Sequence, residues 1–240
     1  MQWGYRTGTG SKPVPLSLPI SSYCHALITG ASNSGKSYYI LYALGKLLQD
    51  TPEIEVYFCD FKKSEDFTFL KGYPYYYSGN ECYEGVMKYY ESFCNARQEG
   101  HNKKRHLLVC DEYPAMINYL ATQDKINKSK RSVDILGAVA EILMLGRGIA
   151  NGIWIVTQRA DANLFANGAR DNFMVVIGLG RMSKEQKGML FSGEEIPTKV
   201  QKQGTGYILA DGYPLYEISC PRIRNIVDWK KHIKEVLMSK

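Results

Sequence analysis

The sequence predicts an α/β fold in which helices flank a mostly parallel central sheet. Five short apolar runs have the length and continuity of buried strands, and they alternate with segments whose apolar residues recur at helical spacing. The first run leads into a glycine-rich loop and then into a helix-like segment. The 240 residues are 45% hydrophobic and 22% charged, which excludes a disordered or collagen-like chain.

The predicted elements follow one another in a regular order. The strands cover residues 25–29, 54–59, 106–110, 152–157 and 173–178, and the main helices cover 37–48, 81–98 and 133–145. Residues 206–210 and 214–219 flank Asp211-Gly212, a turn signal that predicts a C-terminal β-hairpin. Residues 1–22 contain three prolines and show no helical or strand period, so we expect an N-terminal arm there. A main domain over 23–225 and a basic helix or tail over 226–240 complete the predicted organisation.

Composition argues against several classes of protein. No stretch approaches the roughly 18–20 uninterrupted apolar residues of a membrane span, and residues 1–10 lack the apolar core of a signal peptide. We therefore expect a cytoplasmic protein that associates with a membrane only through partners. The six cysteines and four histidines form no zinc pattern, which favours reduced thiols. The net charge of +6 is compatible with a polyanionic partner but does not require one.

A G-x-x-x-x-G-K-S motif over residues 30–37 predicts a phosphate-binding loop between the first strand and the first helix. Its glycines let backbone N–H groups turn toward phosphate oxygens, and the positive end of the following helix points the same way. We expect Lys36 to reach the β- and γ-phosphates and the Ser37 hydroxyl to ligate Mg²⁺. With ATP and Mg²⁺ as the cofactors, the predicted binding residues are Gly30, Ala31, Ser32, Asn33, Ser34, Gly35, Lys36, Ser37 and Tyr38.

Two adjacent acids follow the third predicted strand. Asp111 is expected to hold Mg²⁺ through water, and Glu112 to polarise the attacking water as general base. Acids in this position also cap helices, which is the structural alternative. A pair that follows an apolar strand, in a chain that already has a phosphate loop, favours ATP hydrolysis over phosphoryl transfer to a small molecule.

Two further polar residues flank the fourth predicted strand. Gln158 ends the strand, where its amide can sense the γ-phosphate or hold the water. Arg147 precedes the strand in a glycine-flanked turn, from which it cannot easily reach its own nucleotide but could reach that of an adjacent subunit. A solvent-facing charge at a helix end is the alternative for Arg147.

These motifs together resemble the FtsK/SpoIIIE branch of the FtsK–HerA superfamily of DNA-pumping ATPases. The phosphate loop is generic, whereas the Asp-x-Lys at 60–62, the arginine turn at 146–148 and the Thr-Gln-Arg at 157–159 are specific. The resembling segments cover residues 25–37, 59–62, 108–112, 146–159 and 204–209.

The resemblance implies a RecA-like P-loop NTPase core that assembles as a hexameric ring around double-stranded DNA. It implies ATPase roles for Lys36, Ser37, Asp111 and Glu112, a sensor role for Gln158, and a finger role for Arg147 in the neighbouring subunit's site. Asp60 and Lys62 match a family position near the subunit boundary for which no role follows. The membrane-spanning and winged-helix modules of cell-division translocases have no counterpart in this sequence, so we expect a minimal motor of a mobile element, serving conjugation, plasmid replication or packaging.

In such a ring the polar stretch after the acidic pair faces the central channel. Lysines there bind phosphates without reading bases. The predicted DNA contacts are Lys125, Lys128, Lys130 and Arg131, with Arg181, Lys184 and Lys187 as a second candidate patch. A solvated loop is the alternative for the first group. The tyrosines at 73–77 are expected to pack against the sheet, with stacking on nucleobases as the alternative.

Two functions of different classes follow. The leading one is an ATP-hydrolysing motor that moves double-stranded DNA as a ring-shaped oligomer. The alternative is an ATP-dependent scaffold that recruits a relaxase or replication partner and pumps nothing. Candidate partners are a relaxase, a replication initiator or a secretion-channel protein.

Overall fold

The computed structural model describes residues 1–7, 12–100, 104–161, 164–197 and 201–239. Their strands are β1 (Gln2–Thr7), β2 (Val14–Ser17), β3 (His25–Gly30), β4 (Glu55–Asp60), β5 (Tyr76–Ser78), β6 (His106–Asp111), β7 (Asn151–Thr157), β8 (Val175–Leu179), β9 (Thr205–Ala210) and β10 (Tyr216–Ser219). Their helices are α1 (Lys36–Asp50), α2 (Cys82–Glu99), α3 (Tyr113–Asn127), α4 (Arg131–Leu145), α5 (Lys184–Leu190) and α6 (Ile226–Met238).

All strands of the described residues form one ten-stranded sheet in the order β2-β1-β10-β9-β8-β3-β7-β6-β4-β5. The segment from β8 to β5 is parallel throughout, and β9, β10, β1 and β2 extend it in antiparallel pairs. The carboxyl ends of parallel strands meet at one edge of a sheet, where ligands bind in α/β folds. The phosphate loop after β3 and the acids that end β4 and β6 therefore share this edge.

Helices cover both faces of the sheet. Helices α1 and α6 pack on one face of the sheet, where Trp3 of β1 and Leu16 of β2 belong to the same core cluster. Helices α2, α3 and α4 pack on the other face. The central strands β3, β4, β6 and β7 are almost entirely buried, because helices exclude water from both of their faces. The predicted fold class, an α/β core with a mostly parallel sheet flanked by helices, is confirmed, and so is the C-terminal hairpin, which is the antiparallel pair β9–β10.

The prediction that residues 1–22 lack regular structure is wrong. Residues of β1 pair with β10, and β2 pairs with β1, so this segment extends the sheet. Trp3 is completely buried, with its ring centroid 5.4 Å from that of Trp154. Long-range pairing overrides the local signal of glycines and prolines, which hides the strand pattern. Gly8 and Gly10 of the predicted arm, and Lys240 of the predicted tail, lie outside the described residues.

Two other predicted segments have clear structures. The tyrosine cluster packs against the sheet as predicted: Tyr73 and Tyr77 are buried, and the Tyr73 hydroxyl donates to the Val56 carbonyl at 2.9 Å. The polar stretch from residue 121, for which a solvated loop was the alternative, is helical as far as Asn127, because helix α3 continues through it. Within the ranges that the structure describes, no helix combines the length and apolar character needed to cross a membrane.

Candidate functional site

The phosphate loop joins the end of β3 to the start of α1. Gly35, which precedes α1, has φ +96°, a left-handed conformation that favours glycine. A Cβ at Gly30 would overlap the Ser34 side chain and lie 2.7 Å from the Leu179 carbonyl oxygen. A Cβ at Gly35 would lie 3.1 Å from the Gly204 nitrogen. Both glycines of the motif are therefore sterically required by the loop that this chain forms.

Lys36 lies at the centre of the loop. Its ammonium donates to the carbonyl of Gly30 and, at 3.1 Å, to that of Ala31. Burial lowers the pKa of Lys36, while the charges of Glu112 and Asp111 oppose that shift. The ammonium is thus held by loop carbonyls beside two carboxylates, where phosphate oxygens are the natural acceptors for it.

Asp111 and Glu112 lie between β6 and α3. Asp111 is the last residue of β6, directly opposite Asp60 of β4 in the parallel register. Burial raises the pKa of Asp111 to about 7, and the neighbouring charges of Glu112 and Asp60 add to the effect. Glu112 directly precedes α3 without a capping hydrogen bond from its side chain, and its φ of +55° is a left-handed conformation that is uncommon outside glycine. Functional sites often hold residues in such backbone conformations.

Gln158 contacts the predicted general base directly. Its side-chain nitrogen donates to both carboxylate oxygens of Glu112, at 3.1 and 3.3 Å. Its backbone carbonyl in turn accepts from the Gln186 amide at 3.1 Å. The residue after β7 thus contacts the residue after β6. The sequence predicts only that both residues lie at the same edge of the sheet, and not that they form a hydrogen bond.

The phosphate loop and the acidic pair line one cavity of about 410 Å³. The sequence-predicted residues Lys36, Ser37, Asp111 and Glu112 all line it. Residues from distant segments line it too, and sequence reasoning did not place them there: Lys62, Ser64, Asp66, Gln203, Ile226 and Lys230. Only the Asp-x-Lys match pointed to Lys62, and only the basic character of α6 pointed to Lys230.

The residues present fit a Mg²⁺–nucleoside triphosphate complex. The Ser37 hydroxyl and the Asp111 carboxylate are hard oxygen ligands that open on the same cavity as Lys36. The buried Ser34 hydroxyl has no hydrogen-bond partner among the described residues, which leaves it available inside the loop. In the part of the chain that the structure describes, no group of three or more His, Cys, Asp or Glu could hold a metal. Mg²⁺ at phosphate sites needs only one or two carboxylates, because phosphates and waters complete its shell.

Arg147 lies apart from this cavity. It is exposed, in a 3-10 turn (Gly146–Ile149) between α4 and the amino end of β7. Because the phosphate loop follows the carboxyl end of the neighbouring parallel strand, the two features are separated by the length of a strand, about 20 Å. The structure therefore does not bring Arg147 into its own chain's site.

The predicted DNA contacts lie at the corner between α3 and α4. Lys125, Lys128, Lys130 and Arg131 are all exposed there. The Asp124 carboxylate fixes the corner by accepting from the backbone nitrogens of Arg131 and Ser132, at 2.9 and 2.8 Å. In the second candidate patch, Arg181 and Lys184 are exposed. Lys187 of that patch instead donates to the Pro197 carbonyl at 3.0 Å.

Comparison with known proteins places this site in context. No protein-family model matches the chain. Over 121 residues, half of the chain, it is 29% identical to the FtsK domain-containing protein YdcQ of Bacillus subtilis (strain 168). That match spans 25% of the relative, so the chain corresponds to about a quarter of its length.

Solved structures are similar over most or all of the chain. The pCW3 conjugation coupling protein TcpA superposes with a TM-score of 0.72 at 19% identity, over 100% of this chain and 70% of that one. The type VII secretion ATPase EccC of Thermomonospora curvata gives 0.68 at 20% identity, over 98% and 30%. The genome packaging NTPase B204 of Sulfolobus turreted icosahedral virus 2 gives 0.55 at 15% identity, over 84% and 98%. At these identities the likeness shows the fold. The chain therefore shares its fold with P-loop ATPases, and half of its sequence is similar to an FtsK domain-containing protein.

Proposed function

We propose that this ATPase translocates double-stranded DNA as a ring-shaped oligomer, hexameric as the resemblance implies, in the service of a mobile element. The main observation in support is that the Gln158 amide donates hydrogen bonds to both carboxylate oxygens of Glu112, beside the phosphate-loop cavity. Such a pairing orients a carboxylate for proton transfer from water, which a passive nucleotide switch does not need. It supports a hydrolysing machine over the scaffold alternative.

The residues of the site divide the hydrolytic work. Lys36 exchanges its loop carbonyls for phosphate oxygens, and Ser37, together with Asp111 through water, would hold Mg²⁺. When bound, Mg²⁺ supplies neutralisation of the charge that develops on the phosphates. Glu112 accepts the proton of the attacking water, and the Gln158 amide keeps its carboxylate oriented. Arg147 supplies the finger of a neighbouring subunit's site, which agrees with its position at the opposite edge of the sheet.

The position of helix α3 and the descriptions of two similar structures support DNA as the substrate. One helix, α3, begins beside Glu112 and ends at the corner that carries Lys125 and Lys128. A contact at that corner is therefore connected to the general base through a single rigid element. TcpA is described as a conjugation coupling protein and B204 as a genome packaging NTPase. Both descriptions concern the movement of DNA, whereas EccC is described as a secretion ATPase.

The first test compares ATP turnover with and without duplex DNA. We expect duplex DNA to stimulate turnover of the unmodified chain, and Glu112→Gln to lower turnover by about 10²-fold or more, since it removes the general base. Nucleotide binding is expected to survive in Glu112→Gln. Turnover that ignores DNA, in a chain that stays monomeric by light scattering, would contradict the proposal. Full biological activity of Glu112→Gln alongside loss in Lys36→Ala would favour the scaffold.

A pair of charge-reversal variants tests whether the α3–α4 corner contacts DNA. The double variant Lys128→Glu/Lys130→Glu places negative charge at the α3–α4 corner, so we expect it to lose DNA stimulation while its DNA-independent turnover stays the same. The double variant Lys71→Glu/Lys231→Glu, at two exposed positions away from that corner, makes the same change in net charge elsewhere. An equal loss of DNA stimulation in the two variants would show that the corner lysines make no specific contact with DNA.

A further inference from the structure

The Asp-x-Lys segment after β4 has no assigned role, yet it borders the phosphate cavity. Lys62 lines that cavity together with Lys36, Asp111 and Glu112. It is exposed and forms no ion pair among the described residues. Its positive charge is among the influences that lower the pKa of Lys36, after burial, which is the largest. Two ammonium groups therefore face one cavity beside the carboxylates of Asp111 and Glu112, and a phosphate bound between the two would reduce their mutual repulsion.

The turn that carries Lys62 is fixed by a buried carboxylate. Asp60 is fully buried; one of its oxygens accepts from the Ser64 backbone nitrogen at 3.1 Å, and the other accepts from the Tyr76 hydroxyl at 3.0 Å. The Asp60 carbonyl also accepts from the Lys63 nitrogen at 3.3 Å. Two hydrogen bonds thus close the turn over residues 60–64 on Asp60, and a third connects Asp60 to β5.

The neighbours of Lys62 in this turn are held elsewhere. Lys63 has φ +58°, and its aliphatic chain packs so closely on Gly79 that a Cβ at that glycine would overlap it. Phe61 packs on Tyr119 of α3, with ring centroids 5.6 Å apart. The turn therefore presents Lys62, and not Lys63, to the cavity.

The geometry also distinguishes Lys62 from the other distant lysine that lines the cavity. Lys230 of α6 directs its ammonium over the Phe69 ring, 5.5 Å from the centroid. Lys62 instead follows β4, the strand directly beside β6, whose end carries Asp111 and Glu112. It approaches from the side of the acidic pair, where the terminal phosphate is attacked.

We propose that Lys62 contacts the terminal phosphate of the bound nucleoside triphosphate, and that Asp60 is its positioning residue. This inference rests on the proposed nucleotide site. Lys62 makes a charge-assisted contact that a diphosphate lacks, so it sets the preference of the site for triphosphate over diphosphate.

The test measures binding of ATPγS and of ADP, each with Mg²⁺, by calorimetry on the full chain. Lys62→Ala is expected to weaken ATPγS binding by about tenfold or more and to change ADP binding by less than about threefold. Lys62→Arg is expected to retain part of the preference, since it keeps the charge. Lys63→Ala is the matched control and is expected to change neither affinity.

Asp60 is tested through the same ratio of affinities. Asp60→Asn is expected to reduce the preference for ATPγS in the same direction as Lys62→Ala, and Tyr76→Phe, which removes one hydrogen bond to Asp60, to reduce it less. The second variant keeps the test decisive if the first folds poorly. A loss of both affinities by the same factor, or an unchanged ratio in Lys62→Ala, would overturn the inference while leaving the nucleotide site intact. Failure of the unmodified chain to bind either nucleotide would overturn both.

Discussion

His25 lies at the amino end of β3, the strand whose other end leads into the phosphate loop. Its side chain is fully buried, and neither ring nitrogen has a hydrogen-bond partner among the described residues. Gly146 of the arginine turn lies against it, so that an added Cβ there would be 3.3 Å from the imidazole. Burial lowers the pKa of His25 to about 4, and the charge of Arg147 adds to the effect.

The buried imidazole makes stability depend on pH. In the unfolded chain His25 has a pKa of about 6.5, so between pH 6.5 and 4 the unfolded state binds a proton that the folded state does not. The free energy of unfolding is therefore expected to fall by up to about 3 kcal/mol as the pH drops through this window, and to be fully present above it. Urea denaturation at several pH values measures the slope. His25→Gln should make the slope shallower, and an equal slope in the unmodified protein and in His25→Gln would contradict this account.

Residues that act from one local segment were predictable, and residues gathered by topology were not. The loop at 30–37 and the pair Asp111-Glu112 can each be recognised from a few consecutive residues, because the groups of each motif directly follow one strand. Lys62 and Lys230 reach the same cavity only because β4 lies beside β6 and α6 crosses α1. Nothing in the local sequence encodes those neighbours.

At the scale of elements, the same distinction separates the predicted strands from the missed ones. Five of the six parallel strands were predicted because burial on both faces leaves continuous apolar runs, whereas β5, which is three residues long, was not. Strands β1 and β2 alternate only partly, contain Gly4 and Pro15, and owe their conformation to pairing with β10. No bounds were predicted for helix α3, because its last two turns are largely exposed and carry no apolar stripe.

Helix α6 is fitted into α1 through one glycine. The Trp229 ring lies so close to Gly45 that an added Cβ would overlap it, and the indole N–H donates to the Leu41 carbonyl at 2.8 Å. Because α6 carries Ile226 and Lys230 to the mouth of the phosphate cavity, this contact also sets one wall of the site.

Gly45→Ala and Gly137→Ala form a matched pair that isolates this contact. Both changes add the helix propensity of alanine, worth about 1 kcal/mol, but a Cβ at Gly137 of α4 would meet nothing within 4 Å. We expect Gly137→Ala to raise the free energy of unfolding by about 0.5–1 kcal/mol, and Gly45→Ala to lower it by about 1–2 kcal/mol through overpacking. Chemical denaturation measures both. Stabilisation of similar size in the two variants would show that α6 is not fitted to α1 at this point.

At the scale of the whole molecule, the two halves of the proposed catalytic machinery lie at opposite edges of the sheet. Lys36 and Glu112 lie at the carboxyl edge, and Arg147 lies at the amino edge. A complete site then requires the amino edge of one subunit to meet the carboxyl edge of the next. We expect Arg147→Ala and Lys36→Ala each to abolish ATP turnover alone and to recover part of it when mixed, because mixed neighbours form intact sites. Turnover of the mixture that equals the sum of the separate variants would contradict assembly of the site between subunits.

The two edge strands of the sheet limit how neighbouring subunits can contact each other. Within the described residues, one edge strand is β2, where Pro15 removes an amide donor, and the other is β5, which is only three residues long. Proline and short length both hinder the addition of a further strand to a sheet edge. The proposed ring would therefore assemble through side-chain surfaces and not through continuation of the backbone ladder, so its copies could separate and rejoin without breaking a shared sheet.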